Sequence, residues 1–168
     1  DKTPVRETIH FTVHSADEVG RVIDVVIRLE NLTDEPVILQ GQQDSSKGYG
    51  GFCFRPDAKR APLEFTSALG KQLEDAFELA SPWVDVSSRI QPEGAYSGVA
   101  IFQHPQNPDY PHNGWLIRHY GFLGASWPHT RVYEIAPQQG LTLRYRLFVH
   151  RGNAEESKVH ERFKVFEE

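Results

Sequence analysis

The stretch Gly140-Leu-Thr-Leu-Arg-Tyr-Arg-Leu-Phe-Val-His-Arg151 carries the clearest structural signal in the sequence. Its odd-numbered positions from 141 to 149 are apolar, and they alternate with mostly polar neighbours. A period of two places alternate side chains on opposite faces of a β-strand. The stretch therefore predicts a strand with one face in a core and the other face toward water, as in an antiparallel sheet covered on one side.

The same alternation occurs in two earlier stretches, 9–13 and 23–29. In the first, Ile9, Phe11 and Val13 form the apolar set, which we also expect to face inward. The second stretch and the one that begins at residue 140 together supply the predicted core. The predicted core residues are Ile23, Val25, Ile27, Leu29, Leu141, Leu143, Tyr145 and Leu147.

Short apolar segments at 37–40, 51–55, 77–84, 98–103, 115–120 and 131–135 are further strand candidates. Turn-forming residues separate them at 31–36, 56–62, 91–94 and 137–140. Short strands with no helix between them favour a sandwich over a fold of alternating strands and helices.

One helix is expected near residues 154–165. Asn153 and Glu156 have capping-box spacing, and Val159, Phe163 and Phe166 form an apolar stripe that can dock on a sheet. The predicted fold class is therefore all-β, an antiparallel β-sandwich with one short C-terminal helix.

Composition restricts the classes of function. The 168 residues fit a single domain, 1–168, and a net charge of −5 provides no basic face for nucleic acid. Cys53 is the only cysteine, which excludes an internal disulfide and a thiolate zinc cluster. No apolar run approaches the roughly 20 residues of a membrane-spanning helix. Because the sequence lacks methionine, we expect a processed product or one domain of a longer chain.

The segment 104–121 differs from the rest of the chain, because prolines at 105, 108 and 111 stiffen a loop rich in polar residues. Ordered loops over a rigid sheet often carry binding or catalytic groups, so His104 and Asn107 are candidates. The alternative is a stiff connection that covers a sheet edge. The histidines at 104, 112 and 119 match no compact metal-ligand spacing, and we predict neither a metal nor a cofactor.

Two further segments carry candidate side chains. In the glycine-rich segment 47–55, Tyr49 and Arg55 are placed to line a polar pocket, although a glycine bulge with a surface arginine explains the pattern equally well. In Trp83-Val-Asp85, the ring and the carboxylate share one strand face, an arrangement that suits a sugar. Tryptophan in a strand is more often a core residue.

Several motifs occur together in a fixed order along the chain. They are Gly48-Tyr-Gly-Gly51 with Arg55, Trp83-Val-Asp85, Gly98-Val-Ala-Ile-Phe102, His104-Pro-x-Asn-Pro108, Trp115-x-x-Arg118, Tyr120-Gly121 and Leu143-Arg-Tyr-Arg-x-x-Val-His-x-Gly152. In these motifs the chain resembles the C-terminal major part of the uncharacterised "PmoA-like" family of bacterial proteins, from about residue 8 to the end.

The resemblance implies a β-sandwich protein of bacteria that degrade polysaccharides, often exported. Members of the family are usually longer, with an N-terminal segment containing a His-His-Arg-Gly-like motif that is absent from this sequence. Gln103 stands where the family usually has an acidic residue. The family name refers to a membrane oxygenase, and the apolar pattern of this chain does not fit such a protein.

These observations predict a periplasmic or secreted carbohydrate-handling protein whose ligand is a small molecule or an oligosaccharide. One hypothesis is an enzyme acting on a glycoside or an oxidised sugar, with His104 as general acid or base and Asp85 as its partner carboxylate. The predicted substrate-binding residues are Tyr49, Arg55, Asn107, Trp115, Arg118 and Tyr120.

The alternatives are a non-catalytic sugar-binding or accessory module, and a structural module with a large exposed apolar patch. An enzyme needs two titratable groups that reach one pocket, whereas a binding module needs only aromatic rings and hydrogen-bonding groups. We expect the candidate residues to converge on one side of the sandwich. A period of two places Arg118 and Tyr120 on one face of their strand and Trp115 on the other.

Overall fold

The computed structural model describes residues 3–41, 47–57, 62–89, 91 and 93–167. This part of the chain contains twelve strands and one α-helix. The strands are β1 (Val5–Val13), β2 (Gly20–Asn31), β3 (Val37–Leu39), β4 (Phe52–Phe54), β5 (Glu64–Ser67), β6 (Gly70–Gln72), β7 (Trp83–Arg89), β8 (Tyr96–Gln103), β9 (Trp115–Arg118), β10 (Phe122–Ala125), β11 (Tyr133–Ile135) and β12 (Gly140–Arg151). The helix is α1 (Val159–Glu167).

The strands form one large sheet and two small ones. The large sheet has seven strands in the order β1-β2-β12-β8-β7-β5-β6, the second has the order β4-β10-β9, and the third pairs β11 with β3. Every strand pair is antiparallel. Buried side chains of the small sheets, such as Trp115 and Ile135, share one core with Val25 and Tyr145 of the large sheet. The chain is therefore an all-β antiparallel sandwich, as predicted.

The predicted core residues belong to this shared core. Val25, Leu141, Leu143 and Tyr145 are buried. The other four are partly buried and pack against them: Ile23, Ile27, Leu29 and Leu147. β12 lies beside β2 on one edge and β8 on the other, so the stretch that predicts the fold is an interior strand of the large sheet.

The prediction for residues 9–13 is only half right. These residues form strand β1, but its apolar set does not enter the core: the exposed fractions are 43% for Ile9, 62% for Phe11 and 56% for Val13. β1 is an edge strand of the large sheet, and Phe11 pairs with Val25 of β2. The small sheets cover the middle of the large sheet, and among the described residues nothing extends far enough to bury the inner face of β1.

The strand predicted at 77–84 is also wrong over most of its length. Residues near its start make only isolated bridges, Ala76 with Ile117 and Leu79 with Gly114, and regular pairing begins at Trp83. Pro82 has no N–H to donate to a ladder, which favours a start just after it. Parts of two predicted turns, residues 58–61 and 92, lie outside the described residues.

The helix packs on the outer face of the large sheet, opposite the small sheets. Its buried Phe163 contacts Phe102 edge-to-face with ring centroids 5.5 Å apart. The capping box forms as predicted, with the Asn153 side chain accepting from the Glu156 N–H, and Glu156 accepting in return. The α-helix nevertheless begins at Val159 rather than near 154, because Lys158 has a left-handed φ of 53°.

Candidate functional site

The hairpin of β9 and β10 separates two of the predicted binding residues from a third. Trp115 points inward, has no exposed surface, and donates its indole N–H to the Ser81 carbonyl at 2.6 Å. Arg118 lies on the opposite, outer face of the three-stranded sheet, and Tyr120 follows in the turn. The predicted separation of Arg118 from Trp115 is therefore correct, whereas Tyr120 lies outside the strand. Trp115 is a core residue rather than a sugar-binding one, because a ligand cannot reach it.

Four side chains hold Arg118 in place on this outer face. Its Nε donates to Asp75 Oδ2 at 2.7 Å, and Nη1 donates to the Tyr49 hydroxyl at 3.2 Å. The guanidinium carbon lies 4.7 Å from the ring centroid of Phe77 and 5.1 Å from that of Tyr120. Tyr49, Asp75, Phe77, Arg118 and Tyr120 are called the arginine stack below. Hydrogen bonds and cation–π contacts together fix the planar guanidinium.

The charges within the arginine stack are largely balanced. Burial acts to raise the pKa of Asp75, but hydrogen bonds from the His119 backbone and side chain and from Arg118 prevail and lower it. Asp75 is therefore ionised at neutral pH and pairs with the arginine. The hydroxyls of Tyr49 and Tyr120 lie 3.2 Å apart, and their hydrogen bond raises the pKa of Tyr120. The Tyr120 hydroxyl stays protonated, and 53% of the residue is exposed.

A second arginine extends this surface. Arg55, just after β4, lies with its guanidinium carbon 5.0 Å from the ring centroid of Phe122, whose ring also meets Tyr49 edge-to-face at 5.2 Å. Tyr49, Arg55, Arg118 and Tyr120 thus come together from segments that are distant in sequence. These are four of the eight predicted site residues, and all four belong to the predicted binding set.

Two members of the arginine stack, Asp75 and Phe77, were not predicted. They flank Ala76, which bridges Ile117 through backbone hydrogen bonds in both directions, at 2.9 and 2.8 Å. This bridge places the 75–77 segment beside β9 and brings both side chains to Arg118. The sequence shows only an acidic and an aromatic residue two positions apart, and no local pattern identifies their partner.

His104 and Asn107 lie elsewhere: His104 is on the outer face of the large sheet, and Asn107 lies beside β12. His104 follows β8 and packs edge-to-face on Phe166 of α1, with centroids 5.3 Å apart. Asn107 is buried and binds the backbone of Arg144 twice: its amide donates to the carbonyl at 2.7 Å, and its carbonyl accepts from the N–H at 2.7 Å. Asn107 thus fixes the loop to β12, a structural contact that uses both ends of its side chain.

Asp85 has a different histidine partner from the predicted one. Its Oδ2 lies 2.7 Å from Nε2 of His150, and both side chains are fully buried on the face of the large sheet that packs against the helix. Burial raises the pKa of Asp85 despite the hydrogen bond from His150. Gly98 leaves room for the pair, since a Cβ there would lie 2.6 Å from the His150 ring. Asp85 and His104 therefore do not form the proposed catalytic pair.

The eight predicted residues thus fall into separate environments rather than one pocket. Arg118 faces outward from the three-stranded sheet, whereas His104 and Asp85 lie on the far side of the seven-stranded sheet. The core lies between these faces. The expected convergence is therefore limited to Tyr49, Arg55, Arg118 and Tyr120.

The histidines are also separate. His112 is buried and its Nδ1 accepts from the Gly114 N–H at 2.9 Å, while His119 contacts Asp75. Burial, with Arg131 and His129 nearby, lowers the pKa of His112 to about 4. Within the described ranges, no three His, Cys, Asp or Glu side chains are grouped so as to hold a metal ion.

The only α-helix among the described residues, α1, is too short and too polar to cross a membrane.

Comparison with known proteins gives one result at the level of the family. No curated protein and no solved structure matches the chain. A family model does, and it is described as a family of unknown function, DUF6807. It matches residues 1–164, which includes the arginine stack and all of the large sheet. The chain therefore belongs to DUF6807.

Proposed function

We propose that the chain is a non-catalytic sugar-binding module and that the arginine stack is its binding surface. The observation that carries the proposal is the exposed Tyr120 ring beside a guanidinium held by four neighbours. A sugar presents a C–H face that packs on an aromatic ring, and hydroxyls that bond to arginine and tyrosine. Because Arg118 and Tyr49 are already fixed, little side-chain entropy is lost when a ligand binds.

The geometry supports a binding module more than an enzyme. An acid–base enzyme needs two titratable groups that reach the same ligand. His104 and Asp85 occupy different environments, and Asp85 is fully buried against His150. In the arginine stack, both oxygens of Asp75 already accept hydrogen bonds from Arg118 and His119. This carboxylate positions the arginine and is not free to take up a proton from a substrate.

The ligand class rests partly on the sequence. The resemblance to the PmoA-like family associates the chain with bacteria that degrade polysaccharides, which suggests neutral oligosaccharides as ligands. A periplasmic or secreted location is part of the same proposal, because such oligosaccharides are released outside the cytoplasm. The net charge of −5 is compatible with a neutral ligand.

The proposal is tested by screening the chain against immobilised neutral oligosaccharides and measuring the affinity of each hit by calorimetry. We expect Tyr120→Ala to weaken binding roughly tenfold, since one stacked aromatic contact is lost. Phe11→Ala is the matched control: it removes an exposed ring from β1, which belongs to the other sheet, and we expect it to leave the affinity unchanged. Both variants should unfold at the same temperature as the wild type.

Two results would contradict the proposal. One is the absence of any oligosaccharide ligand, or an affinity that Tyr120→Ala leaves intact. The other is turnover: if a bound oligosaccharide is cleaved or oxidised by the purified chain, the module is an enzyme. Product analysis by mass spectrometry after prolonged incubation distinguishes this second result from simple binding.

A further inference from the structure

A cleft of about 320 Å³ lies on the outer face of the large sheet, beside the end of α1. Its lining includes Asp24 of β2, His104, Arg144 and Arg146 of β12, and Phe166 of the helix. These five residues define what we call the His104 cleft. The arginine stack lies on the opposite side of the sandwich, so the two surfaces share no residue.

The charges of the His104 cleft do not cancel. Arg146 binds Asp24 with two hydrogen bonds, of 2.5 and 2.9 Å, and Asp24 also contacts His14 at 2.7 Å. This carboxylate is therefore fully used. Arg144 has no carboxylate within 4 Å among the described residues. Among the described residues, none accepts a hydrogen bond from the Arg144 guanidinium, so its five N–H donors are available to a ligand in the cleft.

His104 adds a donor of fixed direction. Its Nδ1 accepts from the backbone N–H of Gln106 at 3.0 Å, so in the neutral ring the proton is on Nε2. Burial lowers the pKa of His104, and Arg144 and Arg146 lower it further, which keeps the ring neutral at pH 7. The Nε2–H group is thus a hydrogen-bond donor with no acceptor among the described residues. It lies next to the two arginines that lower the pKa of His104.

The positions of Arg144 and His104 are fixed by backbone contacts. Besides the two hydrogen bonds between the Asn107 side chain and the Arg144 backbone, the His104 N–H donates to the Arg144 carbonyl at 3.2 Å. The loop and strand β12 are therefore held together at the floor of the cleft. Phe166 forms an apolar wall, with the Arg146 guanidinium carbon 4.5 Å from its ring centroid.

The geometry points to the His104 cleft as a binding site for a carboxylate group. A carboxylate placed there accepts two parallel hydrogen bonds from the fork of Arg144, the strongest arrangement for this pair, and a further one from His104 Nε2–H. Phe166 packs against the carbon atoms that bear the carboxylate. Such a group belongs to an acidic sugar or to a simple organic acid, and the shared requirement is a planar anion with two oxygens.

The site is tested by titrating the isotope-labelled chain with D-glucuronate, acetate and D-glucose, and following its NMR spectrum. We expect glucuronate to shift the resonances of His104 and Phe166 with saturation and to leave those of Tyr120 unchanged. Glucose has no carboxylate and should produce no shift at the His104 cleft. A stronger effect of glucuronate than of acetate identifies an acidic sugar, whereas equal effects identify a simple carboxylate, and both results support the site.

Arg144→Gln removes the charge and the fork, and we expect the affinity for glucuronate to fall roughly ten- to a hundredfold, as for the loss of a charge-assisted hydrogen-bonded pair. Arg144→Lys keeps the charge but not the fork and should give an intermediate loss. Arg28→Gln is the control, because Arg28 lies on the same sheet face but already donates to Glu30 at 3.0 Å.

Equal affinities of wild type and Arg144→Gln would overturn the inference, as would the absence of a saturable shift at His104. The thermal unfolding of each variant shows whether it is folded. These outcomes are independent of the proposed sugar-binding surface. Tyr120→Ala should lose neutral-sugar binding and keep glucuronate binding, and Arg144→Gln should do the reverse. If only one of these two results is found, only the proposal for the corresponding surface has failed.

Discussion

The pair of Asp85 and His150 provides the most demanding test of the structure. Both side chains are fully buried, and their hydrogen bond of 2.7 Å links β7 to β12 across β8. Asp85→Ala leaves the imidazole without its acceptor and opens a small cavity. Breaking a buried pair by removing one partner costs about 3–5 kcal/mol. For a chain of this size each kcal/mol lowers the melting temperature by about 2–4 °C, so we expect a decrease of roughly 6–20 °C.

Asp85→Asn distinguishes the loss of the hydrogen bond from the loss of the charge. The amide keeps the shape of the side chain and one oxygen to accept from His150, so we expect a cost of about 1 kcal/mol or less. Asp34→Ala is the control, because this aspartate is exposed, and it should change stability by less than about 0.5 kcal/mol. Urea unfolding monitored by tryptophan fluorescence measures all three variants.

The pH dependence of the same variants has a defined sign. Burial raises the pKa of Asp85 above its ordinary value of 3.8, so the folded chain holds this proton more tightly than the unfolded chain does. Its contribution to stability is complete below that value and is lost as the pH rises through the folded-state pKa. Relative to Asp85→Asn, the wild type should therefore become less stable as the pH rises from 4. This account of the pair is refuted if the wild type becomes more stable relative to Asp85→Asn as the pH rises. It is also refuted if Asp85→Ala is as stable as the wild type.

Two further substitutions test the packing on this face of the large sheet. Gly98→Ala places a Cβ 2.6 Å from the His150 ring and 2.9 Å from the Ser87 Cβ, and we expect thermal unfolding to show a loss of about 1–3 kcal/mol from overpacking. Phe163→Ala removes the buried ring that docks α1 and should cost about 3–5 kcal/mol in urea unfolding, whereas Val165→Ala, on the same helix but 72% exposed, should cost less than about 0.5 kcal/mol. A loss in Val165→Ala equal to that in Phe163→Ala would mean that the helix does not pack through Phe163.

The sandwich was predictable because its signal is local. Alternation along β2 and β12 depends only on neighbours in sequence, and both strands lie where the small sheets cover the large one. The same alternation in β1 gave the right strand but the wrong burial for Phe11. Periodicity shows which side chains share a face, but it does not show whether another layer extends over that face. Burial at an edge strand depends on the width of the opposing sheet, which no local pattern encodes.

The candidate site was predictable only in part. Arg118 and Tyr120 are close in sequence, and the structure places them together, with Tyr120 in the turn after β9. Tyr49 and Arg55 were also predicted, but their meeting with Arg118 depends on the fold. The partners of Asp85 and Asn107 are 65 and 37 residues away in sequence. These contacts arise from strand order, since β12 and β7 both flank β8, and residue types alone do not determine that order. The sequence therefore identified several of the relevant side chains but paired Asp85 with the wrong histidine.

The proline-rich loop between β8 and β9 has a structural role in addition to the ligand-binding role that the sequence predicted. It leaves the large sheet after β8 and enters the small sheet at β9, so it connects the two layers of the sandwich. Asn107 ties its beginning to the backbone of Arg144, and His112 accepts from the Gly114 N–H at its end. Both side chains are buried and serve the backbone. A loop fixed in this way sets the position of Arg144 on one face and the start of the strand that carries Arg118 on the other. Between β8 and β9 the loop thus carries only His104 among the groups that we propose contact ligand, while Asn107 and His112 bind the backbone next to the strands that carry Arg144 and Arg118.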